Sequence, residues 1–562
     1  MTDATESAAR PGAAYVYDVL VDAGVDLLVG LPGTQTLPLD RVVARRDEVR
    51  YVMARHETAV PHVAWGHYEA SGTPAATLTV PGPGETNAMH GLKNALEDCV
   101  PLLHVTGAAS PDERGQGPIH EIAPDTYDHV VKENVVVDSE RELPAAVARG
   151  VELALTPPYG PVRLGVPTDI LAAEFVAPTA TVEPERVSRD NAHAFDAAAT
   201  VLADARRPVV YAGGGVRRSP GGVEAVRRFA RALDAAVVTS YKGKGTFPED
   251  DPRFLGVAGG HLPAGAVRAL ERADAVLALG ADLDGVATRD WSLPLGDRLV
   301  HVTLRPGDLD AGYAADVGIV ADIAEAVSAL EARLADRPVP DRWDASAVGR
   351  AVRAEYRDRL ASEGLYDATD AGLHTPGALR TVREAVPEDA VVTVDVGGFR
   401  LWAMQAFPVQ EPETMVAAGS WAGMGVGLPA AVGAALARPD RPVVCLSGDG
   451  GLLMCLQELA TAAEAGLDLT LVVSNNADYG VISKQADDSA FDDQPFAWES
   501  PDVPAVAEGF GWHGASVADG GALADALDDA IARDGPSLID VVVPADEPSA
   551  AEAADYETEL EF

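Results

Sequence analysis

The chain contains 562 residues, of which 47% are apolar, and its formal net charge is −44 at pH 7. This length predicts about three domains with a core each, and the charge argues against a nucleic-acid partner or an anionic membrane surface. Only five lysines occur, and an acidic, lysine-poor composition is typical of a halophilic, high-salt cytoplasm, where salt screens self-repulsion. No apolar run of about 20 residues and no signal segment occur, so we expect a cytoplasmic protein outside the membrane.

The amino-terminal region alternates strand-like and helix-like segments. Residues 1–11 are small and polar, and we predict that they are disordered. From residue 12 to residue 185, apolar runs typical of strands are separated by helical stretches such as 58–69. The strand candidates are 25–29, 75–80, 102–106 and 162–166. This alternation predicts a doubly wound parallel α/β sheet.

Two further α/β domains are predicted. The central domain spans residues 188–336, and its Gly-Gly-Gly turn at 213–215 fits a tight strand-to-helix turn as well as a dinucleotide loop. The third domain spans residues 345–545, and an acidic, solvated tail follows at 546–562. The strand candidates are 208–212, 235–239, 275–279 and 299–303 in the central domain, and 391–394, 442–447, 469–474 and 536–543 in the third. The last of these is expected to close its sheet.

Polar groups follow two adjacent strand candidates of the third domain. Asp449 lies in the glycine-rich turn 448–451, and Asn476 follows the next strand, after a helix predicted at 452–466. The loops after neighbouring parallel strands meet at the carboxyl edge of a sheet, where ligands usually bind. Carboxylate and amide oxygens suit Mg²⁺ or Ca²⁺, and glycines leave N–H groups free to face a diphosphate. The sequence by itself therefore indicates a metal-diphosphate site.

These paired motifs resemble the signature of thiamine diphosphate (ThDP) enzymes, which is Gly-Asp-Gly followed by Asn-Asn. Asp449 and Asn476 are 27 residues apart, which is the spacing in that family. The resemblance implies that Asp449, Asn476 and the backbone carbonyl of Asp478 bind Mg²⁺. The cofactor-binding residues implied for this region are Gly448, Asp449, Gly450, Gly451 and Asn476.

The amino-terminal motifs resemble those of one group of ThDP enzymes. Arg-His-Glu-Thr-Ala at 55–59 and Pro-Gly-Pro-Gly-Glu-Thr-Asn-Ala at 81–88 are similar, in order, to motifs of the acetolactate synthase, pyruvate oxidase and benzoylformate decarboxylase group. Glu57 takes the place of that group's catalytic glutamate. As an isolated residue, Glu57 would instead be an acid that interacts with a helix macrodipole.

Two further segments extend the resemblance through the third domain. Gly397 and Gly398 resemble the loop that meets the diphosphate. Met424 takes the place of the bulky residue that holds the cofactor in a bent shape, although alone it would be read as a core methionine. The resemblance therefore runs from residue 14 to about residue 543.

The resemblance also implies a mechanism and an assembly. Glu57 would hydrogen-bond the aminopyrimidine ring of the cofactor in a proton relay, and Met424 would hold the two cofactor rings close together. In this family the first domain of one subunit faces the third domain of another. The smallest active unit would therefore be a homodimer, and a tetramer and a regulatory small subunit are left open.

The substrate side is predicted from less specific residues. Thr34 and Gln35 lie in a loop similar to the family's substrate loop and could hold a carboxylate or an oxyanion. His90 is a further candidate. His120 stands roughly where acetolactate synthases commonly have Gln, and a His could donate a proton and favour simple decarboxylation. A surface His without a role is an equal alternative.

FAD binding is not expected. Related enzymes bind FAD in the central domain, partly through an Arg just after the strand that corresponds to 275–279. Here Asp282 and Asp284 follow that strand, and two carboxylates would repel a pyrophosphate.

We therefore predict a ThDP- and Mg²⁺-dependent enzyme that decarboxylates a small 2-oxo acid and transfers the acyl carbanion to a second carbonyl, as an acetolactate synthase does. One alternative is a 2-oxo acid decarboxylase of the benzoylformate or pyruvate type, which releases an aldehyde. Another is a catalytically silent assembly partner with the ThDP fold, against which the joint presence of Glu57, Met424, Asp449 and Asn476 argues.

Overall fold

A computed structural model describes residues 9–177, 181–185, 189–487 and 496–562. The chain forms two compact units. The first unit combines the residues up to 186 with residues 421–440 and 455–469, and the second combines residues 187–420, 441–454 and 470–562. Within the described ranges, no helix has both the length and the apolar character needed to cross a bilayer.

The first unit contains a six-stranded parallel sheet with helices around it. The strand order is Arg50–Met53, Leu27–Gly30, Ala75–Thr79, Leu102–Ala108, Pro161–Pro167 and Glu133–Val136. The α-helices are Gly12–Asp22, Leu37–Val43, Ala59–Ser71, Pro83–Glu97, Leu143–Leu155, Thr168–Ala172, Gly427–Ala437 and Glu458–Glu464, and a 3-10 helix spans Pro124–Tyr127. Arg10–Pro11 pairs with Glu174–Phe175, so the end of the segment predicted to be disordered forms a short strand. Residues 1–8 lie outside the described part.

Two helices from distant parts of the sequence cross closely within this unit. A Cβ atom on Gly66 of Ala59–Ser71 would lie 2.3 Å from the carbonyl oxygen of Ala430. A Cβ atom on Gly433 of Gly427–Ala437 would lie 2.0 Å from the carbonyl oxygen of Val63. Only glycine permits this approach, so the two helix backbones are in direct contact.

The second unit contains two six-stranded sheets. The central sheet has the order Phe254–Val257, Ala236–Thr239, Pro208–Ala212, Ala275–Leu279, Leu299–Thr303 and Val317–Val320. Its helices are Ala192–Asp204, Gly215–Arg218, Gly222–Ala232, Ala264–Arg272, Ile323–Leu334 and Ala345–Ser362. The third sheet has the order Met415–Ala417, Val391–Val394, Val443–Gly448, Leu469–Asn475, Ser537–Val542 and His513–Val517. Its helices are Thr375–Ala385, Gly398–Ala406, Asp449–Cys455, Gly480–Asp487, Val503–Gly509, Gly520–Ile531 and Ala550–Ala554.

The remaining elements are short. They are the 3-10 helices Pro306–Asp308 and Pro412–Thr414 and the strand pair Ala368–Thr369 with Gly372–Leu373. The prediction of three doubly wound parallel α/β sheets is confirmed.

Two elements of the third domain differ from the sequence prediction. The strand Ser537–Val542 lies inside the third sheet, because His513–Val517 pairs with its outer side and forms the edge. The helix predicted at 452–466 is two helices, Asp449–Cys455 and Glu458–Glu464. Neither Gly nor Pro lies at the break, so local sequence gave no signal for it.

Helix Ala345–Ser362 also differs from its predicted domain. Its residues Ala345, Val348 and Val352 are buried in the apolar core of the central sheet. The predicted third-domain boundary at residue 345 therefore falls too early, because this apolar face packs on the central sheet. The predicted start of the central domain, near residue 188, lies outside the described residues.

The carboxyl-terminal segment packs on the second unit, whereas a solvated tail was predicted. Helix Ala550–Ala554 is capped by Ser549 and Glu552 and buries Ala550, Ala553 and Ala554. Tyr556 Oη then donates to Glu355 over 3.0 Å. The prediction of a solvated tail rested on the acidic residues of this segment. It overlooked the apolar and aromatic residues between them, which pack on the protein.

Buried neutral histidines predict a loss of stability in acid. His104 is fully buried, with Nδ1 2.9 Å from Thr77 Oγ1, and burial, aided by the Arg163 guanidinium, lowers its pKa to about 3. The unfolded state takes up a proton near pH 6.5 but the folded state does not, so stability falls as pH decreases below 6.5. At pH 5 the expected cost from His104 is about 2 kcal/mol.

The measurement is the midpoint of thermal denaturation at pH 7.5 and pH 5 for the wild type and His104→Gln. We expect the denaturation midpoint of the variant to fall less between pH 7.5 and pH 5 than that of the wild type. An equal loss in both proteins would contradict the assignment of a neutral, buried His104.

Candidate active site

Glu57 lies in a loop at the carboxyl edge of the first sheet. The strand Arg50–Met53 leads into this loop, and helix Ala59–Ser71 begins two residues after Glu57. Asn87, in the first turns of helix Pro83–Glu97, donates from Nδ2 to Glu57 Oε2 over 3.0 Å. The two amino-terminal motifs predicted from sequence therefore meet through these side chains.

A buried carboxylate that the sequence did not reveal holds the same loop. Glu458 is fully buried. It accepts hydrogen bonds from the backbone N–H of Arg55, at 3.2 Å to both oxygens, and from that of His56 at 3.0 Å. Thr461 Oγ1 donates to its other side over 2.6 Å. Only its position after the glycine-rich turn could have singled it out, because its partners lie about 400 residues earlier.

His90 contacts the segment that carries Met424. His90 Nδ1 accepts a hydrogen bond from Trp421 Nε1 over 2.9 Å, and the ring meets that of buried His62 edge to face at 4.8 Å. Because Nδ1 accepts, the neutral His90 ring carries its proton on Nε2. Burial lowers the pKa of His90 and so favours this neutral form. Met424 is half-buried in the turn that follows Trp421.

Gly423→Ala should disturb this contact, because a Cβ atom there would lie 2.1 Å from both Cε1 and Nε2 of His90. We expect a loss of roughly 1–3 kcal/mol from overpacking, seen as a lower midpoint of thermal denaturation. The double variant Gly423→Ala with His90→Ala should recover most of the loss. Equal losses in the single and double variants would contradict the clash.

The structure also brings Gln35 and His120 together. Gln35 Nε2 and His120 Nδ1 are 3.4 Å apart, and exposed Thr34 donates from Oγ1 to Gln35 Oε1 over 3.1 Å. His120 has a left-handed backbone, with φ of 66°, and is half-buried. The predicted substrate residues Thr34, Gln35 and His120 thus form one cluster, and His90 belongs to the separate contact with Trp421.

In the second unit, Asp449 lies at the carboxyl edge of the third sheet. Asp449 is buried, with 5% of the residue exposed. Oδ1 accepts from Gly450 N over 2.9 Å and Oδ2 accepts from Ala477 N over 2.8 Å. This second bond joins the glycine-rich turn to the residue after Asn476. The sequence-predicted meeting of the two motifs is therefore present in the structure.

Asn476 and Asp478 follow in the same turn. Asn476 Oδ1 accepts from Asp478 N over 3.2 Å, and the Asp478 side chain accepts from Ser483 Oγ over 2.7 Å. Among the described residues, no donor binds the backbone carbonyl of Asp478. Ala477 between them has a left-handed backbone, with φ of 54°, which turns the chain sharply after the strand.

The loop before helix Gly398–Ala406 is tied to the same edge. Asp395 is fully buried, and its Oδ2 accepts from Ser447 Oγ over 3.1 Å. Ser447 directly precedes Gly448, so Asp395 links the loop that contains Gly397 and Gly398 to the glycine-rich turn. Side chains at the two strand ends thus fix both backbone segments.

The Gly-Gly-Gly turn of the central domain is bound to its neighbouring loop. Gly213 N donates to Leu279 O and Gly215 N donates to Gly280 O, each over 2.8 Å. Burial, with the nearby carboxylates of Asp284 and Asp308, raises the pKa of Asp282 to about 6. These occupied N–H groups and the acidic surroundings fit a pyrophosphate poorly. That FAD is not bound stays a prediction.

Comparison with known proteins gives the same three domains in the same order. The matching descriptions are "Thiamine pyrophosphate enzyme, N-terminal TPP binding domain" at residues 10–129, "central domain" at 195–330 and "C-terminal TPP binding domain" at 395–541. The acetolactate synthase isozyme 1 large subunit of Escherichia coli K12 is 31% identical in an alignment that covers 95% of this chain and 94% of the relative. The chain belongs to the thiamine pyrophosphate enzyme family.

Relatives in the family come from distant organisms. The acetolactate synthase large subunit of Parasynechococcus marenigrum is 31% identical over 96% of this chain and 89% of its own length. The probable acetolactate synthase large subunit of Methanocaldococcus jannaschii is 28% identical over 95% of this chain and 92% of its own length. The family resemblance expected from the motifs is confirmed, and it extends over nearly the whole chain.

The residues of the third sheet fit the metal-diphosphate group of this family. Burial raises the pKa of the Asp449 carboxyl to about 6, and no basic side chain among the described residues forms an ion pair with it. A buried, uncompensated carboxylate is stabilised by a cation. Within the described part, no three acidic, His or Cys side chains cluster as a metal site. The fitting set is instead one carboxylate, the Asn476 amide oxygen and the Asp478 carbonyl.

Proposed function

We propose that this member of the family is a ThDP- and Mg²⁺-dependent enzyme that decarboxylates a small 2-oxo acid and transfers the acyl group to a second carbonyl, as an acetolactate synthase does. The observation that carries the proposal is the hydrogen bond between Asp449 Oδ2 and Ala477 N. It joins the two halves of the metal motif in a chain whose full length is similar to acetolactate synthase large subunits.

The protein's own residues have separate tasks in this proposal. Asp449, Asn476 and the Asp478 carbonyl would hold Mg²⁺, and Glu57 would hold and move a proton at the cofactor's pyrimidine ring. When bound, ThDP would provide a nucleophilic carbon for addition to the substrate carbonyl and an electron sink for the loss of CO₂. Met424 would orient the cofactor.

A specific contact supports the second candidate, a decarboxylase that releases an aldehyde. His120 lies beside Gln35 at the edge of the first sheet and could deliver a proton to the acyl carbanion before a second carbonyl reacts. Carboligation remains our first proposal because the whole-chain similarity is to acetolactate synthases. Thr34, Gln35 and His90 are proposed to contact substrate in either case.

The test is product identification in high salt. The protein is incubated with ThDP, Mg²⁺ and a panel of 2-oxo acids, alone and in pairs, and the products are separated and identified. A 2-hydroxy-3-oxo acid of the acyloin type supports the carboligase, and an aldehyde alone supports the decarboxylase. CO₂ release from none of the acids would contradict both.

The proposed partners are other copies of the same chain. On the family resemblance, we propose a homodimer, with assembly into tetramers and a small regulatory subunit left open. We also propose a high-salt cytoplasm as its location, from the composition. A purified protein with a flavin absorption band would contradict the proposed absence of FAD.

A further inference from the structure

The backbone just before Glu57 is fixed by a carboxylate from a distant segment. Strand Arg50–Met53 ends two residues before Arg55, and the N–H groups of Arg55 and His56 both donate to Glu458 over 3.0–3.2 Å. Backbone N–H groups that donate to an ionised carboxylate form stronger bonds than those that donate to a neutral acceptor. The two peptide planes that lead into Glu57 therefore have a charged anchor.

Glu458 has no other visible task. It is fully buried at the first residue of helix Glu458–Glu464, and no ion pair to its side chain occurs within the described ranges. Its burial is offset by the two backbone donors and by Thr461 Oγ1 at 2.6 Å. Burial raises the pKa of Glu458, whereas the hydrogen bonds from Thr461, Arg55 and His56 lower it. The ionised carboxylate therefore depends on these donors, and so on the loop keeping this geometry.

The Glu57 side chain has few constraints of its own. It is half-buried, and the described hydrogen bond to its carboxylate comes from Asn87 over 3.0 Å. The direction of its Cα–Cβ bond is set by the backbone at residues 55–57. A shift of about 1 Å in a reacting group can cost about 100-fold in rate.

We propose that Glu458 is a positioning residue for Glu57: its carboxylate holds the N–H groups of Arg55 and His56 and so fixes the direction in which Glu57 presents its own carboxylate. Glu458 acts through the loop and does not touch substrate or cofactor. The role assigned to Glu57 rests on the proposed function, but the loop anchor itself does not.

The main variant is Glu458→Gln, which keeps the size and removes the charge. The matched control is Glu464→Gln, because Glu464 pairs with the side chain of the same Arg55 and is exposed. Hydrogen–deuterium exchange of the backbone amides is measured first, without cofactor. We expect faster exchange at residues 54–58 in Glu458→Gln and wild-type exchange in Glu464→Gln. Unchanged protection in Glu458→Gln would overturn the proposal.

The second readout is deuterium exchange at the thiazolium carbon of bound ThDP, followed by NMR. We expect Glu458→Gln to slow this exchange by roughly 10-fold to 100-fold while ThDP affinity changes less than about threefold. Wild-type exchange rates in the variant would overturn the proposal. If the wild type itself does not bind ThDP, the proposed function is wrong. The contact between Glu458 and the loop is then tested by the amide-exchange result alone.

Glu458→Asp provides the test if the Gln variant does not fold. It keeps the charge but withdraws the carboxylate by one methylene, so the bonds to Arg55 and His56 lengthen. We expect an intermediate exchange rate at the thiazolium carbon and intermediate amide protection. An Asp variant that matches the wild type in both would overturn the need for this geometry.

Discussion

Glu57→Gln should abolish turnover of 2-oxo acids while ThDP stays bound. The amide keeps the size of the side chain and the contact with Asn87, at 3.0 Å in the wild type, but cannot accept and return a proton. General acid–base groups contribute about 10²–10⁴-fold, and we expect a loss of that size in kcat. The measurement is steady-state turnover together with ThDP affinity from quenching of tryptophan fluorescence.

Asn87→Ala is the graded comparison. It removes one hydrogen bond to Glu57 but leaves the carboxylate, so we expect a loss of about 10-fold, which corresponds to roughly 1–1.5 kcal/mol. Activity in Glu57→Gln equal to that of Asn87→Ala would mean that Glu57 only positions the cofactor. Unchanged activity in Glu57→Gln would disprove the relay.

Asp449→Asn should eliminate Mg²⁺-dependent ThDP binding. The Asp449 carboxylate is the charged member of the proposed ligand set, and we expect ThDP affinity to fall by more than about 100-fold, beyond what loss of an outer hydrogen bond costs a metal site. Burial raises the pKa of Asp449 to about 6, so its charge is unfavourable without a cation.

The measurement is the midpoint of thermal denaturation with and without Mg²⁺ and ThDP, because a ligand that binds only the folded state raises it. Asp478→Asn is the matched control, since Asp478 offers its backbone carbonyl and its side chain bonds to Ser483. We expect the control to keep the ligand-induced shift. A full shift in Asp449→Asn would remove Asp449 from the ligand set.

The same two inactive variants test the proposed dimer. If the site combines the first domain of one subunit with the third domain of another, a mixed dimer of Glu57→Gln and Asp449→Asn contains one site without either change. Unfolding and refolding the two variants together should then restore part of the activity. The individual variants, treated in the same way, should stay inactive.

Sequence reasoning succeeded where local pattern determines structure. The strands 208–212, 275–279, 299–303 and 391–394 were predicted at their observed bounds, because each is a short, mostly apolar run buried on both faces. Strand His513–Val517 was missed, since it lies at the edge and is only partly buried, with a mixed composition. This strand lacks the apolar pattern that marks the interior strands of its sheet.

The site divided in the same way. The proximity of Asp449 and the segment at Asn476 was predicted because both lie at the ends of strands in one local motif, and the structure adds the bond from Ala477 N to Asp449. Their role as metal ligands stays a prediction. Glu458 was missed because its partners, Arg55 and His56, lie about 400 residues away. The contact between His90 and Trp421 was invisible for the same reason. Contacts between residues far apart in the sequence produce no local sequence pattern, so they cannot be predicted from one sequence.

The close crossing of helices Ala59–Ser71 and Gly427–Ala437 has a consequence for how this protein can be divided. A fragment that ends near residue 186 would lack the helix that covers Gly66, together with the carboxylate that satisfies Arg55 and His56. Such a fragment would expose a bare apolar groove and aggregate when expressed alone. The amino-terminal region therefore cannot be exchanged between related proteins by itself. A chimaera should take this region, helix Gly427–Ala437 and Glu458 from the same protein.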